Sequence, residues 1–110
     1  MIVKEIVEKL NLTVHSGEAG LSREITGGYT SDLLSDVMGN CDAGKIWITL
    51  QTHKNVMAIA SLKDIAAVIL IKDLKPETDM AAQSETEEIP VLGTSLPAFE
   101  LTGQLYELLK

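Results

Sequence analysis

The sequence predicts a layered α/β domain with a mixed, mostly parallel sheet. From residue 45 onward, strand-like and helix-like segments alternate with short connections, the pattern that builds parallel strands through right-handed crossovers. One strand candidate, 66–71, is apolar at every position, as a strand covered on both faces requires. Residues 1–40 do not follow this alternation and contain Gly-rich turns, so we expect them to add strands of opposite direction.

The first half contains two helix candidates and two extended segments. Residues 2–10 carry apolar side chains at helical spacing, and Asn11 suits the position after a helix. Residues 12–14 alternate in polarity as a short strand does. A second extended segment, 24–30, passes through two glycines. Ser31-Asp32 then supplies an N-cap and a first-turn acid for a helix that continues to Met38.

The second half begins with a β-branched and aromatic strand over 45–51 and a small-residue helix over 55–62. The fully apolar segment 66–71 should be the central strand. A mostly polar helix follows over 75–88, with Pro76 in its first turn.

The chain ends with a strand and a helix. Pro90 restricts the strand over 89–92 to an edge, unless the proline stands at its start. Ser95 and Pro97 open the last helix, whose apolar positions are Phe99, Leu101, Leu105, Leu108 and Leu109.

Composition limits the class of protein. The 110 residues suit one domain, 1–110, and 45% apolar content is too high for a disordered acidic chain. A net charge of −7 argues against nucleic acid and anionic membranes as partners. Cys41 is the only cysteine, the N-terminus lacks a signal-peptide core, and the apolar run 65–71 is too short to span a bilayer. We therefore expect a cytoplasmic protein.

One candidate binding loop contains Arg23, Thr26, Gly27 and Gly28. A glycine pair beside Thr and Arg can present backbone N–H groups to an anion or to the edge of a nucleotide. A simple tight turn explains the same residues, and neither known Gly-rich phosphate pattern is present.

The second candidate loop contains Gln51, Thr52, His53 and Asn55, between a predicted strand and a helix. Ligands of open α/β sheets bind at such strand ends, and helix N-termini attract anions. Alternatively, Thr52 or His53 caps the helix. If the two loops converge, Asp32 would orient the second one.

The sequence offers little for catalysis. His53 has no second His at helical spacing and Cys41 has no CxxC partner, so we predict no metal site and no cofactor. A Cys41 nucleophile paired with His53 is a weaker alternative. Asp32 and Asp36 lie one helical turn apart, but a helix N-terminus and solvent account for them. We predict no catalytic residues.

The same two loops resemble the DRTGG domain family, whose named residues would fall on Ser22-Arg23 and Thr26-Gly27-Gly28. The resemblance extends in order through 20–29, 31–38, 47–55 and 99–106. Ser22 departs from the family's Asp, which removes a salt bridge or cap that Asp would provide.

The resemblance implies a three-layer α/β/α fold with a mixed sheet, similar to the N-terminal domains of HPr kinase/phosphorylase and of muramyl ligases. DRTGG domains occur beside CBS domains in regulated pyrophosphatases and within phosphotransacetylase-like proteins, as accessory and often dimerising regulatory modules. A name such as HPr serine kinase would come from the resemblance alone, because this sequence has no phosphate-binding loop.

We therefore expect a stand-alone, non-catalytic regulatory module that forms a homodimer and senses a small anionic or nucleotide-like ligand. The alternative is a pure interaction module that acts on a separate protein partner. An exposed apolar patch including Trp47, Met57 or Tyr106 would favour the alternative.

Overall fold

The computed structural model describes residues 1–110 as five strands and five helices. In chain order they are α1 (Val3–Lys9), β1 (Thr13–Ser16), β2 (Gly27–Thr30), α2 (Leu34–Asn40), β3 (Lys45–Thr49), α3 (Asn55–Leu62), β4 (Ala67–Leu70), α4 (Thr78–Glu87), β5 (Val91–Gly93) and α5 (Ala98–Leu109). A short 3₁₀ turn, Glu18–Gly20, lies between β1 and β2. None of the helices is both long enough and apolar enough to cross a bilayer.

The five strands form one mixed sheet in the order β1-β5-β4-β3-β2. Strands β2 to β5 are parallel, and β1 is antiparallel to β5. The predicted fold class is confirmed, with β4 at the centre of the sheet. We expected the strands of the first half to run opposite to the others, which is correct for β1 and wrong for β2. A helix between β2 and β3 carries the chain back across the sheet, so β2 runs in the same direction as β3.

Helices cover both faces of the sheet, giving three layers. Helices α2, α3 and α4 enclose one core with Trp47, Val68 and Val91 from the strands. Helices α1 and α5 enclose the other with Ile46, Ile48 and further residues of β4 and β5. Every residue from Ile65 to Ile71 is buried, as the continuous apolar pattern predicts.

The ends of α1 and β5 agree with the predictions, and the start of α4 differs. Asn11 has a φ of 54° just after α1, the left-handed conformation of a helix stop. The first turn of α4 begins at Thr78, so Pro76 precedes the helix and does not stand within it. Pro90 lies immediately before β5, which is therefore an interior strand with its proline at the start.

The predicted N-cap of α2 is wrong. The helix begins at Leu34, and no side chain caps it. The hydroxyl of Ser31 instead accepts the Leu33 N–H at 3.2 Å. The Asp32 carboxylate bonds to the end of β3, because a parallel β2 brings it beside that strand.

The expected apolar patch is also corrected. Trp47 and Met57 are fully buried, and the Trp47 indole N–H donates to the Ser31 carbonyl at 2.8 Å. Tyr106 is 68% exposed. Phe99, which we assigned to the packed face of α5, is 86% exposed.

Candidate functional site

The two candidate loops lie at opposite ends of the parallel strands. Gly27 pairs with Lys45 at the beginning of β3, whereas Gln51 follows the end of that strand. At about 3.3 Å per residue, the length of β3 separates them by roughly 15 Å. The two loops therefore do not converge, since parallel strands place the start of β2 and the end of β3 at opposite ends of the sheet.

Arg23 lies near the amino-terminal ends of the parallel strands, and its guanidinium is bonded to other groups of the protein. Its Nε donates to the Glu88 carbonyl at 2.9 Å, and one terminal nitrogen donates to the Glu87 carbonyl at 3.4 Å. The other terminal nitrogen pairs with Asp64 at 3.2 Å. The guanidinium thus satisfies carbonyls at the end of α4, where a positive charge also complements the helix dipole.

Asp32 orients the loop that follows β3. One carboxylate oxygen accepts both the Thr49 hydroxyl and the Leu50 N–H at 2.9 Å. The Gln51 side-chain amide donates to the Asp32 carbonyl at 3.0 Å. These bonds hold the ends of β2 and β3 together, and the hydrogen bonds that the Asp32 carboxylate accepts come from groups of the protein.

The rest of the second loop lies on the surface. His53 Nδ1 lies 2.7 Å from a carboxylate oxygen of Glu77, and the Glu77 N–H donates to the Thr52 carbonyl at 3.0 Å. Neither Thr52 nor His53 caps α3 with its side chain, because the His53 backbone carbonyl accepts the Val56 N–H instead. Asn55 is exposed at the start of the helix. None of the five main clefts includes any residue of this loop.

A groove of about 490 Å³ runs between the edge strand β2 and the carboxyl-terminal half of α5. We call it the β2–α5 groove. It contains three of the predicted residues, Thr26, Gly27 and Gly28. The rest of its lining is Thr30, Lys45, Ile48, Thr102, Leu105, Tyr106, Leu109 and Lys110. The lining contains two lysines and no Asp or Glu side chain, in a chain whose net charge is −7.

Gly28 lets α5 lie close to β2, and Gly27 has a backbone conformation that favours glycine. A Cβ at Gly28 would lie 3.2 Å from a methyl group of Leu105, closer than most side-chain contacts allow. Gly27 has a φ of 156°, which residues with side chains rarely adopt. Because β2 is an edge strand, part of its backbone has no ladder partner.

The two lysines of the groove are only weakly engaged. Lys45 Nζ lies 3.8 Å from Asp42 and 5.8 Å above the centre of the Tyr29 ring. Lys110 lies 3.2 Å from Glu107. The Lys110 pair is exposed and contributes little free energy, and the Lys45 pair is long, so neither ion pair fixes its ammonium group strongly.

Four groove residues were not predicted as ligand-binding residues: Lys45, Thr102, Tyr106 and Lys110. Thr102, Tyr106 and Lys110 belong to α5 and its end, and their spacing of four residues places them on one face of the helix. The sequence does not indicate that this face borders β2.

Comparisons with known proteins address the fold. No protein-family model matches the chain, and no curated protein matches it either. A solved structure does match: the CBS and DRTGG domains of the regulatory region of Clostridium perfringens pyrophosphatase, complexed with the activator diadenosine tetraphosphate. The fold is shared with that regulatory region. The TM-score is 0.73 at 13% sequence identity, and the match covers 96% of this chain but 45% of that one.

The shared fold does not bring Cys41 and His53 together as a nucleophile and base. Cys41 is fully buried before β3, and His53 is exposed beyond the other end of that strand. Burial raises the pKa of the Cys41 thiol, which is the opposite of what activates a cysteine nucleophile. No three His, Cys, Asp or Glu side chains are grouped as metal ligands.

Proposed function

We propose that this protein is a DRTGG-type, non-catalytic regulatory module of the cytoplasm that senses a small anionic, nucleotide-like ligand in the β2–α5 groove. The observation that carries the proposal is the lining of this groove, which has lysines and hydroxyls and no Asp or Glu side chain. Its volume lies within the range of ordinary small-molecule sites. The similar regulatory region was solved with a nucleotide activator, which agrees with this class of ligand.

The groove offers each part of a nucleotide a matching surface. Lys45 and Lys110 would contact phosphate oxygens, together with backbone N–H groups of the Gly27-Gly28 segment. The exposed ring of Tyr106 would stack on a base. Thr26 would contribute from the rim, although its hydroxyl already donates to the Ala43 carbonyl at 2.9 Å.

The proposal reassigns the other predicted ligand residues. Arg23 and Asp32 become structural, because their polar groups are used within the chain. Gln51, Thr52, His53 and Asn55 belong to a separate surface loop.

Calorimetry with ATP, GTP and acetyl phosphate tests the ligand claim. We expect the wild type to bind a nucleotide and Lys45→Ala to weaken binding by about tenfold, as loss of one charged hydrogen bond predicts. Lys54→Ala is the matched control, because Lys54 is an exposed lysine at the carboxyl-terminal end of the parallel strands. This variant should bind nucleotide as the wild type does. No binding tighter than about 1 mM would contradict the proposal.

Self-association is the second part of the proposal. Phe99 and Tyr106 are 86% and 68% exposed and line the same shallow groove on α5, and an exposed aromatic patch of this kind is typical of protein interfaces. We expect a homodimer in sedimentation equilibrium and a monomer for Phe99→Asp, with unchanged circular dichroism.

The alternative function, an interaction module for a separate protein, is favoured by the same exposed Phe99. A wild-type chain that stays monomeric and binds no nucleotide would support this alternative and contradict the sensor.

A further inference from the structure

A second cleft lies where the chain leaves β4 and β5 in opposite directions. The connection after β4 leads to α4 on one face of the sheet, and the connection after β5 leads to α5 on the other. Neighbouring parallel strands with diverging connections leave a crevice at their carboxyl ends, the position where open α/β sheets bind ligands. This crevice has a volume of about 640 Å³.

Two basic side chains face this crevice without an acid partner. His15 comes from β1 and Lys75 from the connection after β4. Neither forms an ion pair, although the carboxylate of Asp73 also lines the crevice. The remaining polar lining consists of neutral amides and hydroxyls, from Asn11, Thr13, Thr94, Ser95 and Gln104.

The His15 ring packs against Gly93 of the neighbouring strand, where no side chain stands in its way. Gly93 stands next to β1 in the antiparallel ladder, and a Cβ at this position would collide with the imidazole. Burial and, to a smaller extent, the charge of Lys75 lower the pKa of His15. Both effects favour the neutral imidazole, and an anion bound between His15 and Lys75 would oppose them by stabilising the imidazolium and the ammonium group.

Both rims of the crevice are tied to each other by backbone hydrogen bonds. Lys72 N–H donates to the Leu96 carbonyl at 3.0 Å, and Asp73 N–H donates to the Thr94 carbonyl at 2.8 Å. To make these bonds, Lys72 and Asp73 adopt φ values of 57° and 60°. Consecutive left-handed residues other than glycine are costly, and such strain is concentrated at binding sites. The crevice is therefore preformed.

We propose that this crevice is a binding site for a small phosphorylated compound that carries hydroxyl groups, such as a sugar phosphate. The phosphate lies between Lys75 and His15, and the hydroxyls bond to Asn11, Thr94 and Gln104. This site is separate from the β2–α5 groove and shares no residue with it.

Calorimetry with glucose 6-phosphate and with glucose as probes tests the proposal. We expect the phosphate ester to bind and glucose not to bind, because the basic pair recognises the phosphate. Lys75→Ala should weaken binding by about tenfold. Lys45→Ala should leave it unchanged, so this result is independent of the nucleotide site.

Proton NMR of a His53→Asn variant gives a second readout, because His15 is then the only histidine. The charged groups that line the crevice with it are Lys75 and Asp73. Saturating glucose 6-phosphate should raise the pKa of His15, since the phosphate stabilises the imidazolium. Binding weaker than about 1 mM, equal binding of glucose, or wild-type affinity in both Lys75→Ala and His15→Gln would overturn the proposal.

Discussion

Replacement of Arg23 by alanine separates a structural role from a ligand-binding role. In the structure, its guanidinium donates to the carbonyls of Glu88 and Glu87 at 2.9 and 3.4 Å and pairs with Asp64 at 3.2 Å. Glu88 has a φ of 55° and ends α4 in the left-handed conformation. Arg23→Ala therefore leaves the end of this helix without its cationic partner.

The expected cost follows from these contacts. A hydrogen bond from a charged donor contributes about 1.5–3 kcal/mol when it is well protected. The Arg23 side chain is 30% exposed, the Glu87 contact is long, and the Asp64 carboxylate is 74% exposed, so the last pair adds little. We expect a loss of about 2 kcal/mol in the free energy of unfolding. For a domain of this size, that loss lowers the melting temperature by roughly 10 °C.

Thermal and urea unfolding followed by circular dichroism measure this loss. Asp64→Ala, which removes only the exposed pair, should cost less than about 0.5 kcal/mol. Arg23→Lys should recover part of the stability, because it keeps the charge but not the forked geometry. An Arg23→Ala protein that melts with the wild type but no longer binds nucleotide would refute the structural assignment.

Three further changes have defined outcomes. Ser84→Ala removes a buried hydroxyl that donates to a carbonyl at 2.6 Å and accepts the Ser16 hydroxyl at 2.9 Å, and urea unfolding should show a loss of about 1–3 kcal/mol. Trp47→Phe deletes an indole N–H that donates at 2.8 Å in the core, and it should lower the melting temperature by several degrees. The Tyr29 hydroxyl donates to Asp36 at 2.8 Å, which lowers the pKa of this carboxyl and raises the pKa of the phenol. The pair's stabilisation is therefore lost as pH falls below 3.8, through the lowered pKa of Asp36, and as pH rises above 10.0, through the raised pKa of Tyr29. For Tyr29→Phe, the free energy of unfolding measured across pH should change less than in the wild type at both ends of this range. A pH profile equal to that of the wild type would count against the pairing.

Local patterns were enough to predict most of the fold. The continuous apolar run at β4 and the alternation of strands with helices after residue 45 fix the central sheet and its direction. The pairing of β1 with β5 could not be predicted, because the two short strands are distant in sequence and neither encodes its partner. The direction of β2 depends on where α2 packs, which is a tertiary property.

The candidate site was predicted only in part. Gly27 and Gly28 line the β2–α5 groove, but Lys45 and Tyr106 reach it through strand pairing and helix packing. The polar loop around His53 was predicted as a site because of its position after a strand. The crevice around His15 could not be predicted, because its residues come from four separate segments of the chain.

Chemical-shift mapping of the ¹⁵N-labelled protein with ATP is the most direct test of ligand sensing in the β2–α5 groove. We predict saturable shifts of the backbone amides of Gly27, Gly28, Lys45 and Tyr106, with His53 unchanged. Absence of saturable shifts, or shifts confined to the loop around His53, would contradict it.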